Sequence, residues 1–412
     1  MSPLPKPPGS ETSEDDESQL SRGIQEAIDG GKEPSWGGPV AVDPPLFGSY
    51  HILFPVTFGD GVRWLLKVPT NGTRHHFDDA AARALSCEAL TMRLPSRQTT
   101  IPVSDVFAFD AALDNELGCL FILMSFVDGQ FLYDCWFDRC VPDDIVRRRR
   151  HRALQDVAAA MVELEKFSFD RAGDAEEAVI YVEDGPFEDP ASFYVSSLDR
   201  RPEAPTHSGE GEQKLLRMLL GWIQQPRDGE NSFVLAHPDL DIQNIIVSEE
   251  GELRALIDWD GVAAVTFSPG NQRYPSWLSW GWDPAMYSYD AAMEEGKEPE
   301  GLWEDSPETL RSLREKYARI IDSSLGHATR WTRISLLSEN LLIAADDPLC
   351  TTAILDKVLN EISRAVGQGA YKATQSTGGT SPDDAEPDDF HIYDVACALA
   401  DGELDPGPTD KL

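Results

Sequence analysis

Apolar and polar positions interleave through GSYHILFPVTF (48–58) and VRWLLKVP (62–69), two runs rich in β-formers with Gly59-Asp60-Gly61 between them. A DG pair between such runs is a hairpin signal. DDAAARALSCEALTMRL (78–94) carries helix formers at helical spacing. IPVSDVFAFD (101–110) and CLFILMSFVDG (119–129) read as two further strands. The chain from 45 to 128 is therefore expected to form a small antiparallel sheet carrying one helix. After Gly129 the period changes. Leu154, Val157, Met161 and Leu164 repeat at helical spacing, and KLLRMLLGWI, SLREKYARIIDSSL, RISLLSENLLIAA and AILDKVLNEISRAV continue the pattern. Residues 129–366 thus read as mainly helical, and the whole as an α+β fold.

Two segments lie outside that body. Residues 1–44 begin MSPLPKPPGSETSEDDESQ, which is rich in Pro, Ser and acid and poor in apolar anchors, and they are expected to be largely disordered. Residues 367–412 read as a flexible acidic tail, in which FHIYDVACALADGEL has the pattern of one short helix.

One stretch of the second region breaks the helical pattern. VLAHPDLDIQNIIV (234–247) places a His, two Asp and an Asn between two apolar runs, and SEEGELRALIDWDG follows. NIIV and LRALID form a second expected hairpin around 248–252, which returns Asp258 to the neighbourhood of Asp239 and Asn244. Clustered Asp and Asn oxygens are hard ligands that suit Mg²⁺, usually shared with substrate phosphates. A remaining Asp can orient an attacking hydroxyl and take its proton. Singly, each of these residues is an ordinary turn or cap residue; the three together point to a site. Phosphoryl transfer also needs a fixed cation, and Lys67 lies among Leu65, Leu66 and Val68 in a β run, with Glu88 on the following helix as its expected partner.

These residues carry a resemblance. HPDLDIQN followed by IDWD resembles the HGDxxxxN…IDxx pattern of the aminoglycoside phosphotransferases and related small-molecule kinases, most of all the phosphotransferase-domain proteins of filamentous fungi. The likeness runs from about 45 to 365 and includes the Lys67 strand, the Glu88 helix, FILMSFVDG, MVELEKFSF and RYPSWLSWGWDPAMY. It implies a bilobal protein-kinase-like fold, with a sheet lobe at 45–128 and a helical lobe at 129–366. It implies ATP as phosphate donor, Mg²⁺, and a hydroxyl of a small molecule as acceptor. Asp239 would be the catalytic base, and Asn244 and Asp258 the metal ligands. Lys67 would touch the α- and β-phosphates and pair with Glu88. Met124, the Ser125 carbonyl and the Val127 amide would hold the adenine edge. Gly48 and Ser49 would occupy the place of the phosphate-covering loop, and His237 would brace the catalytic loop through backbone contacts. The sequence departs from the pattern at Pro238, where the family has Gly, and at Asp241, where it often has His; no GxGxxG precedes Lys67. A non-catalytic nucleotide-binding module and a protein kinase are the alternative readings, the latter disfavoured by the absence of HRD and APE marks.

Charge narrows the partners. With 35 basic and 72 acidic side chains the net charge is −37, which disfavours nucleic acid and anionic membranes and tolerates a cationic acceptor. A monomer is expected. RRRRHR (147–152) precedes an apolar helical stripe and reads as a solvated helix start. RYPSWLSWGWDPAMY reads as a packed segment in preference to an aromatic cage for a cation. Asp260 either assists the metal or bonds nearby backbone. Six dispersed Cys without a CxxC pair, and no apolar leader segment, give the expectation of a cytoplasmic protein.

Overall fold

The computed structural model describes residues 41–74, 77–169, 187, 189–223, 233–266, 270–283, 287–326 and 331–360. The two expected tails fall almost wholly outside these residues, as does Pro284 of the aromatic stretch. In chain order the strands used below are β1 (Ala41–Val42), β2 (Leu46–Phe47), β3 (His51–Thr57), β4 (Arg63–Pro69), β5 (Val106–Asp110), β6 (Phe121–Ser125), β7 (Gln130–Phe131), β8 (Ser168–Phe169), β9 (Phe233–Ala236), β10 (Ile245–Val247) and β11 (Leu253–Leu256). The helices are α1 (Asp79–Gln98), α2 (Leu132–Trp136), α3 (Asp143–Glu163), α4 (Pro190–Asp199), α5 (His207–Gly221), α6 (Ser276–Ser279), α7 (Pro307–Leu325) and α8 (Trp331–Asp346). The mixed α+β class is the one the periodicity predicts.

The chain divides into two compact units. The first comprises residues 1–166, 173–185 and 235–264; the second comprises 167–172, 186–234 and 265–412. This division does not follow the boundary expected at 128/129. The first unit retains α2, α3 and the segment around β10 and β11, because β7 pairs with β10 (Ile246 opposite Phe131, Val247 opposite Gln130).

In the first unit six strands form an antiparallel sheet in the order β1-β3-β4-β6-β5, with β2 also on β3. β1 pairs Ala41 with Thr57 and Val42 with Val56, so ordered structure begins before residue 45. A two-residue strand has no readable period, which is why the sequence did not reveal it. The β3–β4 hairpin runs in register from His51 opposite Pro69 to Thr57 opposite Arg63. Its five-residue turn is closed by the Phe58 amide on Val62 O at 2.9 Å, with Gly61 at φ +86°. Only a residue without Cβ takes that conformation at no steric cost. Ile52, Phe54, Leu66, Val68 and Cys119 form a core on one face of the sheet. α1 starts at the Asp78 carboxylate, which accepts the Ala80 and Ala81 amides, and buries Leu85, Glu88 and Met92 on one stripe. Glu88 is the anomaly, a carboxylate in an apolar stripe.

β6 leads through 126–129 to β7, and Gly129 lies against β10. A Cβ there would stand 2.4 Å from Ile246 Cγ2 and 2.8 Å from Val247 O, so glycine is required by close approach. Gly251, at φ +80° in the β10–β11 turn, lies likewise against the Arg149 backbone of α3.

The second unit is mostly helical, apart from the short β8–β9 pairing of Ser168 with Val234 and Phe169 with Phe233. Tyr194, Leu198, Leu215, Leu216, Leu219 and Leu220 from α4 and α5 bury against Leu341, Ala344 and Ala345 of α8 and Ile354, Leu355 and Val358 of the helical run 348–360. Arg273 and Glu339 form an ion pair at 2.7 Å with side chains only 14% and 11% exposed. Tyr274, Trp277 and Trp280 are buried, so the described part of the aromatic stretch packs as core.

Candidate phosphoryl-transfer site

Every residue of the expected catalytic set lies in the first unit. Lys67 leaves β4 opposite Leu53 and Ile122, and Glu88 leaves the buried stripe of α1. Their side chains meet at 2.6 Å, Nζ to Oε1, and the residues are 5% and 3% exposed. An unpaired ammonium so deep would be costly; pairing is what permits it. Burial works against the Lys67 charge, but Glu88 and then Asp258 outweigh it and hold its pKa above the ordinary lysine value. Burial also raises Glu88, and Lys67 opposes that rise. Lys67 Nζ makes a second bond, 3.2 Å to Asp258 Oδ1.

Asp258 is, among the described residues, the one non-glycine at positive φ, +63°. Asp tolerates the left-handed region better than most residues. The turn ends β11 and directs the carboxylate toward Lys67. Just before it, the Ile257 amide donates to Asn244 O at 3.0 Å, so the second hairpin brings Asn244 beside the residue preceding Asp258.

Asn244 ends the short turn Ile242–Asn244 and enters β10. Its Nδ2 donates to Asp239 Oδ2 at 2.8 Å and to Asp239 O at 3.0 Å. The amide nitrogen thus fixes the Asp239 carboxylate, and the Asn244 carbonyl oxygen remains for a cation. Asp239 itself is exposed. His237 lies with Nε2 3.0 Å from Ile257 O. A carbonyl only accepts, so Nε2 carries the proton in that bond. Its ring also packs edge-on to the fully buried Trp259, at 4.7 Å between centroids. Asp241 is 4% exposed and caps the 242–244 turn by accepting the Gln243 amide at 3.4 Å, which is the ordinary role of an Asp there.

The remaining expected residues occupy two places. Met124 and Ser125 end β6, where the Ser125 amide donates to Asp105 O at 2.9 Å. Val127 follows, half-buried. Gly48 and Ser49 form the β2–β3 turn. The Gly48 amide donates to His51 O at 2.9 Å, and the Thr70 amide donates to Tyr50 O at 2.9 Å, tying the turn down. A glycine-rich loop would instead leave several amides free for phosphate.

His51 was not among the expected residues. Its Nε2 is 3.7 Å from Asp260 Oδ2, and burial, followed by the Lys67 charge, depresses its pKa to about 3. The register places it: His51 lies opposite Pro69, two positions from Lys67, so the two share one face of the hairpin. His51, Lys67, Glu88 and Asp260 line a cavity of about 280 Å³ together with Tyr50, Thr70 and Asn71.

The basic run is largely paired within the chain. Arg148 binds Asp144 at 2.6 Å and Arg149 binds Asp138 at 2.8 Å. Arg150 donates to Trp136 O at 2.9 Å, and Arg152 bridges Asp156 and Glu252. Arg149 and Arg150 are half-buried, so the run is less solvated than expected. Four of the cysteines, Cys87, Cys119, Cys135 and Cys350, are buried free thiols, and Cys140 is exposed.

Comparison with known proteins adds three findings. A protein of Candida dubliniensis named altered inheritance of mitochondria protein 9, mitochondrial, is 22% identical over 203 residues, covering 48% of this chain and 32% of the relative. The Candida albicans protein of the same name matches at the same identity and coverage. This chain therefore spans about a third of the length of these curated relatives. Their names overturn the cytoplasmic expectation. The cysteine pattern behind that expectation does not separate the cytosol from a mitochondrion. No described helix is long and apolar enough to cross a membrane. Among solved structures, a macrolide 2′-phosphotransferase type I aligns at TM-score 0.44 and 15% identity, over 90% of this chain and 99% of that one. A putative fructosamine-3-kinase from Thermobifida fusca aligns at 0.44 and 16%, over 93% and 98%. The sequence model of the phosphotransferase enzyme family matches residues 54–264, just over half of the chain and the whole of the Lys67–Asp258 set. On that match the chain belongs to the phosphotransferase enzyme family.

Proposed function

We propose that the protein transfers the γ-phosphate of ATP, with Mg²⁺, to a hydroxyl of a small molecule. The observation that supports this reading most is the chain of contacts Glu88–Lys67–Asp258, at 2.6 and 3.2 Å, alongside the Asp239–Asn244 contact at 2.8 Å. It is a fixed cation, a carboxylate and an amide in one unit, and these are the groups that phosphoryl transfer needs.

The donor set fits magnesium. Asn244 offers a carbonyl oxygen and Asp258 a carboxylate 47% exposed, and hard oxygens are that ion's preferred ligands. When bound, the ion would neutralise phosphate charge and orient the triphosphate. Lys67, held charged by Glu88, binds the α- and β-phosphates. Ser125 O and the Val127 amide hold the adenine edge beside Met124. Asp239, oriented by Asn244, accepts the acceptor hydroxyl's proton as the oxygen attacks. Catalysis here is positioning and charge stabilisation without a covalent intermediate. A cationic acceptor is in keeping with a net charge of −37, and a mitochondrial location with the names of the Candida relatives.

The test is incubation of purified protein with Mg²⁺, ATP and a small-metabolite extract, followed by a mass search for products heavier by one phosphate. Wild type yields such a product and Asp239→Asn does not. ATP hydrolysis without any phosphorylated product, or equal product from both proteins, overturns the reading.

A further inference from the structure

The cavity beside Lys67 brings a histidine, His51, and two carboxylates, Glu88 and Asp260, to one place. His51, Glu88 and Asp260 each offer one ligand atom, and those atoms all lie within 4.8 Å of one another. Three elements supply them: the first residue of β3, the buried stripe of α1, and the turn after β11.

We propose that His51, Glu88 and Asp260 form a binding site for one divalent transition ion of the zinc type, separate from the Asn244–Asp258 pair.

An imidazole nitrogen with two carboxylates suits a borderline ion and does not suit magnesium or calcium, which take oxygen ligands. Glu88 keeps one carboxylate oxygen for Lys67 and has a second for the ion, and carboxylates commonly bridge in this way. The cavity of about 280 Å³ gives room for the ion and for water to complete its coordination. The site needs none of the reaction chemistry, and its existence is independent of the proposed phosphoryl transfer.

The test titrates zinc chloride into the full chain without nucleotide, followed by calorimetry and by thermal unfolding. The wild type takes up one equivalent that His51→Gln and Asp260→Asn each lose or weaken at least about tenfold. That equivalent raises the unfolding temperature in the wild type and much less in His51→Gln and Asp260→Asn. Asn244→Ala keeps it, which separates the site from the proposed magnesium ligands. Asp260 is 40% exposed on its side chain, so its substitution leaves the fold intact should His51→Gln not. Zinc uptake and stabilisation unchanged in Asp260→Asn, or no zinc bound by the wild type, overturns the proposal.

Discussion

Lys67 and Asp258 stand 191 positions apart in the chain, yet Nζ of the first lies 3.2 Å from Oδ1 of the second. The contact joins the sheet to the turn after β11, and it holds only because Glu88, at 2.6 Å, lets the ammonium stay charged in a buried place. Glu88→Gln leaves that ammonium with one partner and is expected to cost about 3 kcal/mol in urea unfolding. The double variant Lys67→Met/Glu88→Leu removes both charges and recovers most of the loss. A single variant as stable as wild type would mean that the pair does not hold the fold there.

Asp239 is exposed and bonded through its carboxylate to Asn244. Asp239→Asn keeps the shape and removes the proton acceptor. Phosphoryl transfer is expected to fall by at least about 10²-fold, with nucleotide affinity within a few-fold of wild type. Single-turnover kinetics beside equilibrium binding separates these effects. A matched fall in both would assign Asp239 to binding.

Gly129→Ala places a methyl 2.4 Å from Ile246 Cγ2 and 2.8 Å from the Val247 backbone oxygen, where the link between β6 and β7 packs against β10. Backbone cannot yield as a flexible side chain can, so a loss of about 1–3 kcal/mol is expected in thermal or urea unfolding. Gly61→Ala serves as a comparison, since nothing lies within 4 Å of the added methyl and only the positive φ opposes it. Its loss should be about 1 kcal/mol.

His51 has its pKa depressed from 6.5 to about 3, chiefly by burial and next by Lys67. The unfolded chain therefore binds a proton below pH 6.5 that the folded chain refuses until about pH 3. Stability from this group is complete above pH 6.5 and is lost as pH falls. Between pH 6.5 and 5.5 the expected loss is about 1 kcal/mol. His51→Gln should flatten the unfolding profile by that amount over that interval, measured against wild type in the same buffers.

Much of this was legible in the sequence, and for identifiable reasons. The hairpins announced themselves by alternation and DG or SEEG turns, and their return paths brought Asp258 toward Asn244 and Asp239. Lys67 was conspicuous because its neighbours are apolar, and Glu88 because it shares a helix with Ala81, Leu85 and Met92. His51 was missed because it sits at the end of its strand, where a polar residue passes for a turn residue. Only the register, which pairs it with Pro69, puts it on the Lys67 face. Asp241 stood out as a departure from the family's frequent His; its carboxylate caps the 242–244 turn. The pairings of the arginine run were beyond reach, because Arg149 finds Asp138 and Arg152 finds Glu252 only once α3 and the second hairpin are in place.

The central claim is that Lys67, Asn244 and Asp258 converge on the phosphates of one magnesium-bound nucleotide. Calorimetric titration of ATP into the protein, with and without Mg²⁺, tests it most directly. The account predicts one site in the wild type, at least about tenfold weaker without Mg²⁺ or in Asp258→Asn, and weaker again in Lys67→Met. Binding that is indifferent to Mg²⁺ and to both substitutions, or no binding at millimolar ATP, would contradict it.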